Sequence, residues 1–449
     1  MTTTTHATRD IRPGRQRVSL ALAIGLCIPG AVSRLADIHG NTGLMALIFG
    51  LSIVGAAFML SWAAEVAQLD ISAGLAIALL AFIAVLPEYA VDMVFAWKGG
   101  NAFEEFGRSC LGPGDTGESP CSLALANMTG ANRLLIGIGW SLVVFLAWFA
   151  MRRRNRAAVD AGETPGEPLK EVTLERTHSV ELAFLTVASA YSLTLPLKSS
   201  ITLIDAAILV GLFVLYTIRI SRAPASEPHL VGPALYIGTF EKRKRRASVL
   251  GLFLFAATII LLCAESFAEA LVETGAEFGI SEFLLVQWLA PLASEAPELL
   301  VAGLYAWRLN TNAGLGTLVS SKVNQWTLLV GTLPVVFAIA SDSLHGLPIV
   351  AQQREELFLT AAQSIFAVAI LTNLSISVKE AGMLFGLFWA QFVLGAVVPE
   401  SWHGAELVAV GILYLVLAAV YFFRQRRQVP RLMRDGLRTN YADMTREAA

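Results

Sequence analysis

The chain has 449 residues, of which 55% are hydrophobic and only 15% charged. Its mean hydropathy is +0.62. Soluble domains average about 45–50% apolar and about 25% charged residues, so the composition excludes a soluble protein. The net charge of −2 excludes a generally basic nucleic-acid binder.

A spanning helix needs about 20 mostly apolar residues. In chain order, such runs fall at 18–36, 44–66, 71–97, 122–149, 179–196, 201–220, 248–273, 281–306, 313–340, 356–372, 378–398 and 405–423. They are continuous rather than alternating, which excludes barrel strands. The first is short, contains Pro29 and follows basic residues. It reads either as a retained helix or as a cleaved signal. The stretches 150–178 and 222–247 are polar and read as flexible linkers. The second ends in EKRKRR, which either touches anionic lipid or simply enforces topology.

With the N-terminus inside, 26 of the 33 Lys and Arg fall on the cytoplasmic side, 5 on the other, and Arg133 and Lys322 within helices. The positive-inside rule then places both termini in the cytoplasm, as in a bacterial-type plasma membrane. Cys110 and Cys121 fall in the loop 98–121, on the oxidising side, where a disulfide is expected. Cys27 and Cys263 read as small apolar fillers.

Residues 86–98, LPEYAVDMVFAWK, recur as 296–308, APELLVAGLYAWR. At an offset of 210, Pro87, Glu88, Val91, Ala96 and Trp97 match Pro297, Glu298, Val301, Ala306 and Trp307. The next helices correspond loosely, LALANMTGANRLLIG with LGTLVSSKVNQWTLLVG. Between the two copies the chain crosses the membrane an odd number of times, so the halves are inverted. Inverted repeats are characteristic of secondary transporters, whose sites lie between the halves. The expected fold is an all-α polytopic membrane protein of about twelve spanning helices, in two inverted five-helix repeats with one extra helix at each end. Its units are an N-terminus and extra helix (1–43), a first repeat (44–220), a basic cytoplasmic linker (221–247), a second repeat (248–398), and an extra helix with a basic tail (399–449).

A Pro-Glu helix followed by a helix of small residues and Asn, occurring twice in inverted halves, resembles the calcium:cation antiporter superfamily, which includes the sodium/calcium and proton/calcium exchangers. The resemblance covers the ten-helix core. It is carried by Pro87-Glu88, Pro297-Glu298 and the run from Ala126 to Asn132. It is degraded in the second half, where Thr317, Ser320, Lys322 and Gln325 stand for Asn, Gly, Asn and Asn. The resemblance implies Asn127 and Asn132 as ion ligands.

A mid-bilayer carboxylate costs at least about 2.5–3.5 kcal/mol, so Glu88 and Glu298 should face a cavity, a cation or a partner. The prolines before them free carbonyls near Ile83 and Ala293, and hard cations favour such oxygens. Asp92, one turn after Glu88, and Glu295, three residues before Glu298, either add charge to the site or form structural ion pairs. Thr129, and Thr317, Ser320, Ser321 and Asn324 from the second half, offer neutral oxygens, either as ligands or as glue between helices. Lys322 stands at a ligand position of the resembled family. There it would neutralise a carboxylate, repel a second cation and offer a titratable amine; otherwise it snorkels from another face. Glu265, Glu269, Glu273 and Glu277 form one stripe, with Glu65 as a possible counterpart; it lines an access path or a packed face.

All six His lie in tails, loops or helix ends, and no HExxH, Cys–His cluster or P-loop occurs. No cofactor or nucleotide is expected, and the partners are the lipid bilayer and small cations. The expected function is a secondary active cation antiporter, sodium/calcium exchanger-like, working by alternating access with ions held by paired glutamates. The alternatives are a sodium/proton or proton-coupled cation antiporter using Lys322, a membrane-embedded acid/base enzyme, or a transport-dead sensor.

Overall fold

A computed structural model describes residues 13–70, 86–112, 118–223, 230–279 and 282–446. The helices of the first half are α1 (Pro13–Leu35), α2 (Thr42–Ala67), α3 (Leu86–Phe106), α4 (Pro120–Leu134), α5 (Ser141–Asp160), α6 (Ser179–Ser192) and α7 (Leu203–Ile220). A short α8 (Pro233–Gly238) leads to α9 (Lys242–Phe278), α10 (Glu282–Trp307), α11 (Thr311–Asn324), α12 (Val330–Ala340), α13 (Ala351–Leu371), α14 (Val378–Val397) and α15 (His403–Arg424). The tail adds α16 (Val429–Leu437) and α17 (Tyr441–Arg446). Among the described residues, eight helices are long and apolar enough to cross a membrane by length and composition. The fold is the all-α membrane architecture of two inverted five-helix repeats, with α1 and α15 as the extra helices.

Corresponding helices start in the same way. Thr202 and Asp205 form a capping box on α7, and Ser377 and Glu380 form one on α14. Each satisfies the free N–H groups of a helix start. The chain passes from α4 to α5 through a π-helical segment, Leu135–Trp140, and from α11 to α12 through another, Gln325–Leu329. Such segments recur at functional sites, and here they follow the two Asn-bearing helices.

Four short strands stitch the halves together: β1 (Glu171–Thr173), β2 (Ser200–Ile201), β3 (Leu347–Pro348) and β4 (Ser375–Ser377). β1 pairs antiparallel with β4, and β2 with β3. Because β1 precedes α6 and β2 follows it, the two pairs tie first half to second at opposite ends of the bundle. Segments of two or three residues carry no period, so none of these strands is readable in the sequence.

The centre is made by α4 and α11. α4 is buried on every side from Cys121 to Leu134. At Gly130 its backbone meets α10, where an added Cβ would stand 1.6 Å from the Gln287 carbonyl oxygen. Only a residue without a side chain permits that approach. On the flank, α2 packs along α9. At 37 residues, α9 is about 55 Å long, more than the hydrocarbon core of about 30 Å, so its KRKRR end projects beyond it.

The expected flexible linkers are more ordered than their composition suggests. α5 runs on to Asp160, and 171–173 form a strand. In the second stretch Tyr236 of α8 accepts from Arg17 at 2.8 and 2.9 Å. The tail is docked too: Asp435 accepts from Arg176 Nε at 2.7 Å, and Arg219 donates to the Gly436 carbonyl at 3.0 Å. Cys110 and Cys121 are joined by a disulfide, while Cys27 and Cys263 are free and buried.

Candidate ion-binding site

Both Pro-Glu helices bring their acids to one buried locus. Glu88 stands in the first turn of described α3, and Asp92 one turn on; both are buried. Glu295 is buried on α10 and Glu298 is half-buried one turn later. Glu88 lies within electrostatic reach of Glu295, Asp92 and Glu298, and its carboxyl stands against that of Glu295. Glu295 in turn stands against Glu298, so the carboxyls form a continuous row.

Two amides hold this row, one at its Asp92 end and one across its middle. Asn127 Nδ2 donates to Asp92 Oδ1 at 2.7 Å. Gln325 Nε2 bridges the halves, donating to Glu295 Oε1 at 2.6 Å and to Glu88 Oε2 at 3.3 Å. The bridging role of Gln325 is not evident from sequence. The available signal was its amide standing for Asn in the degraded second motif.

Several buried oxygens keep no hydrogen-bond partner: Glu88 Oε1, Asp92 Oδ2, Asn127 Oδ1 and Gln325 Oε1. Burying such atoms unpaired is costly. One amide donor shared by Glu88 and Glu295 does not offset the repulsion along the row, and a shared proton or a cation does. Among the described residues no three His, Cys, Asp or Glu side chains converge as a metal-binding group. The locus instead mixes carboxylate and amide oxygens, a donor set suited to a hard, exchangeable cation rather than a resident transition metal.

Lys322 is fully buried and faces the same locus. Its Nζ donates to Asn132 Oδ1 at 2.7 Å and to the Asn132 backbone carbonyl. It also lies 5.6 Å over the Trp326 ring, a cation–π arrangement. Glu88 and Glu295 are its nearest acidic influences. Lys322 therefore does not snorkel outward, and its direct partner is an amide rather than a carboxylate.

The remaining candidates divide. Ser321 is buried and its hydroxyl faces Glu298; Asn324 is buried beside it on α11. Thr129 is buried but returns its hydroxyl to the Leu125 and Ala126 carbonyls, at 2.9 and 3.0 Å, and accepts from Gln287 at 3.4 Å. Two expectations fail on position. Thr317 is exposed and bonds the Ala313 carbonyl, and Ser320 turns to Tyr216 at 2.8 Å. Five residues separate Thr317 from Lys322, about 500° of helix, so the two cannot share a face.

Arg133 follows Asn132 but points away, onto Glu356 and Gln391 and over the Trp288 ring at 4.9 Å. The exposed stripe on α9 pairs outward: Glu265 with Arg34 at 3.2 Å, Glu269 with Lys98 at 2.8 Å, and Glu277 with Thr42. The backbone of α10 stays helical through Pro297, which leaves the Ala293 carbonyl without its usual donor. Ile83, the other carbonyl expected at the site, lies outside the described residues.

The model of the family described as sodium/calcium exchanger protein matches residues 40–221 and 248–398. The chain belongs to that family, and it is a transporter rather than an enzyme. The crystal structure of the H+/Ca2+ exchanger CAX is similar at 40% identity with a TM-score of 0.82, over 94% of this chain and 98% of that one. The Ca2+/H+ antiporter protein YfkE shares the fold at 14% identity with a TM-score of 0.53, over 91% and 99%. Among curated proteins none matches.

Proposed function

We propose that this chain is a secondary active antiporter that exchanges calcium for protons by alternating access, with both termini in the cytoplasm. Glu88 and Glu298 bind the ion, supported by Asp92, Glu295 and the oxygens of Asn127, Ser321, Asn324 and Gln325, while the Asn132 oxygens are taken by Lys322. A divalent cation is held by several of these oxygens at once. When it leaves, the contacting carboxylates repel one another and take up protons instead. Binding of calcium and binding of protons then exclude each other, which is the condition for exchange.

The observation that carries the choice of protons over sodium is Lys322. Its ammonium already occupies the Asn132 oxygens, which would otherwise be available to an alkali cation. A titratable amine there, positive whenever it holds its proton, disfavours a second metal ion beside calcium and couples the site to protons. Similarity to the H+/Ca2+ exchanger CAX points the same way.

The test is calcium flux in proteoliposomes with separately imposed pH and sodium gradients. Uptake driven by a pH gradient and indifferent to sodium is expected. Uptake driven by sodium at constant pH would return the sodium/calcium exchange reading.

A further inference from the structure

On α10 one face leads from the carboxylates toward the linker end of the molecule: Glu298, then Val301, then Tyr305. At its end stands a residue of neither repeat. Val231, from the segment that joins the halves, is buried and packs with Val301 and Tyr305, and Ala313 lies against the same cluster. Its backbone N–H donates to Glu65 Oε2 of α2 at 2.9 Å, and Glu65 is itself buried.

A polar interhalf connection has no need to bury a valine in that position. Among the described residues, the hydrogen bonds flanking it run to α1, α2 and α9. Tyr236 accepts from Arg17 of α1, and Asp70, just past α2, is clamped by Arg245 at the start of α9, at 2.8 and 2.9 Å. The described part of the linker thus rides with α1, α2 and α9, while Val231 reaches across to α10 and α11, which carry the ion site.

We propose that Val231 is a latch. Seated between Glu65 and the Val301–Tyr305 face, it closes the path between the carboxylates and the linker-side surface. It must leave that seat for an ion to pass. This rests on the antiport reading above, and it assigns the interhalf linker a part in transport rather than only in connectivity.

The experiment is calcium flux in proteoliposomes carrying the Val231→Cys/Val301→Cys double variant of the full chain, oxidised and then reduced. The native cysteines interfere little, being buried or already bridged. Oxidation should form the bond and lower flux at least tenfold, with recovery on reduction. Full flux from a verified cross-linked sample would overturn the latch while leaving antiport intact. If the pair does not oxidise directly, a short bifunctional thiol reagent spanning the two sulfurs replaces the disulfide, and failure of that cross-link too would overturn the latch. No flux from the native chain under any gradient would remove the antiport reading and the latch with it. A second measurement avoids dependence on the double variant. In Val231→Cys, adding Glu65→Ala should raise the rate of labelling by a soluble thiol reagent about fivefold, the factor expected for one lost hydrogen bond. An unchanged rate would show that Glu65 does not hold the latch.

Discussion

The two halves share a backbone plan but not a charge plan. In the first, Glu88 and Asp92 sit a turn apart and Asn127 answers Asp92. In the second, Glu298 and Glu295 sit a turn apart, but the answering groups are Gln325 and, on the last turn of α11 just before it, Lys322. The first half therefore presents acids with a neutral amide, and the second presents acids with an amide and a buried titratable amine. In the proposed mechanism, fold symmetry lets both halves open alternately on one site. Charge asymmetry decides what that site holds, because each fixed charge changes the affinity for a divalent ion.

The largest expected effect tests the shared part. Glu88→Gln and Glu298→Gln should each lower calcium flux at least about a hundredfold, since each removes a charged ligand from a low-dielectric site. Thermal stability without calcium should hold or rise, because a buried charge is removed with it. Flux that survives one of the two substitutions would break the symmetry at its centre.

The next tests the difference. Lys322→Asn removes the cation and supplies a neutral oxygen beside Asn132. Calcium affinity should rise about tenfold, and the dependence of flux on an imposed pH gradient should weaken. Calcium binding by titration, with flux at several pH values, reads both. Unchanged ion dependence would place Lys322 outside the site's electrostatics. Gln325→Leu should act in the opposite sense and less strongly. It takes away the donor shared by Glu88 and Glu295 and should weaken calcium binding by about three- to tenfold.

Much of this arrangement is legible in the sequence because it rests on long signals. Apolar runs of twenty residues locate helices, and a Pro-Glu pair repeated 210 residues on locates both acids. What was lost depended on phase and distance. The π-helical segments after α4 and α11 differ in length, six residues against five, so repeat alignment drifts there. Thr317 and Ser320 qualify by residue type, but helix phase turns Thr317 outward and Ser320 toward Tyr216, away from the carboxylates. Gln325 escaped because a lone glutamine in an apolar helix reads as glue until its two carboxylates are seen. The partners of Arg133, at 356 and 391, lie too far along the chain for any local pattern. The linkers read as flexible because charge, proline and glycine dominate them, yet apolar residues such as Val231 there and Leu432 in the tail are buried.

The smallest effect belongs to the rim, where the halves differ least in function. Asp70 follows α2 and is held by Arg245 and Arg246 at the start of α9. The hydrogen bond from Arg245 holds its carboxyl below the usual carboxylate range, against the opposing effect of burial. A group whose folded value is depressed contributes stability above its unfolded value, about 3.9. That contribution is lost as pH falls through the lower folded value. The clamp should therefore be fully present at pH 5 and above and fade below about pH 4. Asp70→Asn should lower Tm at neutral pH by only about 1–2 °C, as expected for a partly solvated pair. The difference from the native chain should vanish in acid. Melting curves of both proteins from pH 7 to pH 3 check this. A difference that persists below pH 3 would assign the effect to packing around residue 70 rather than to its charge.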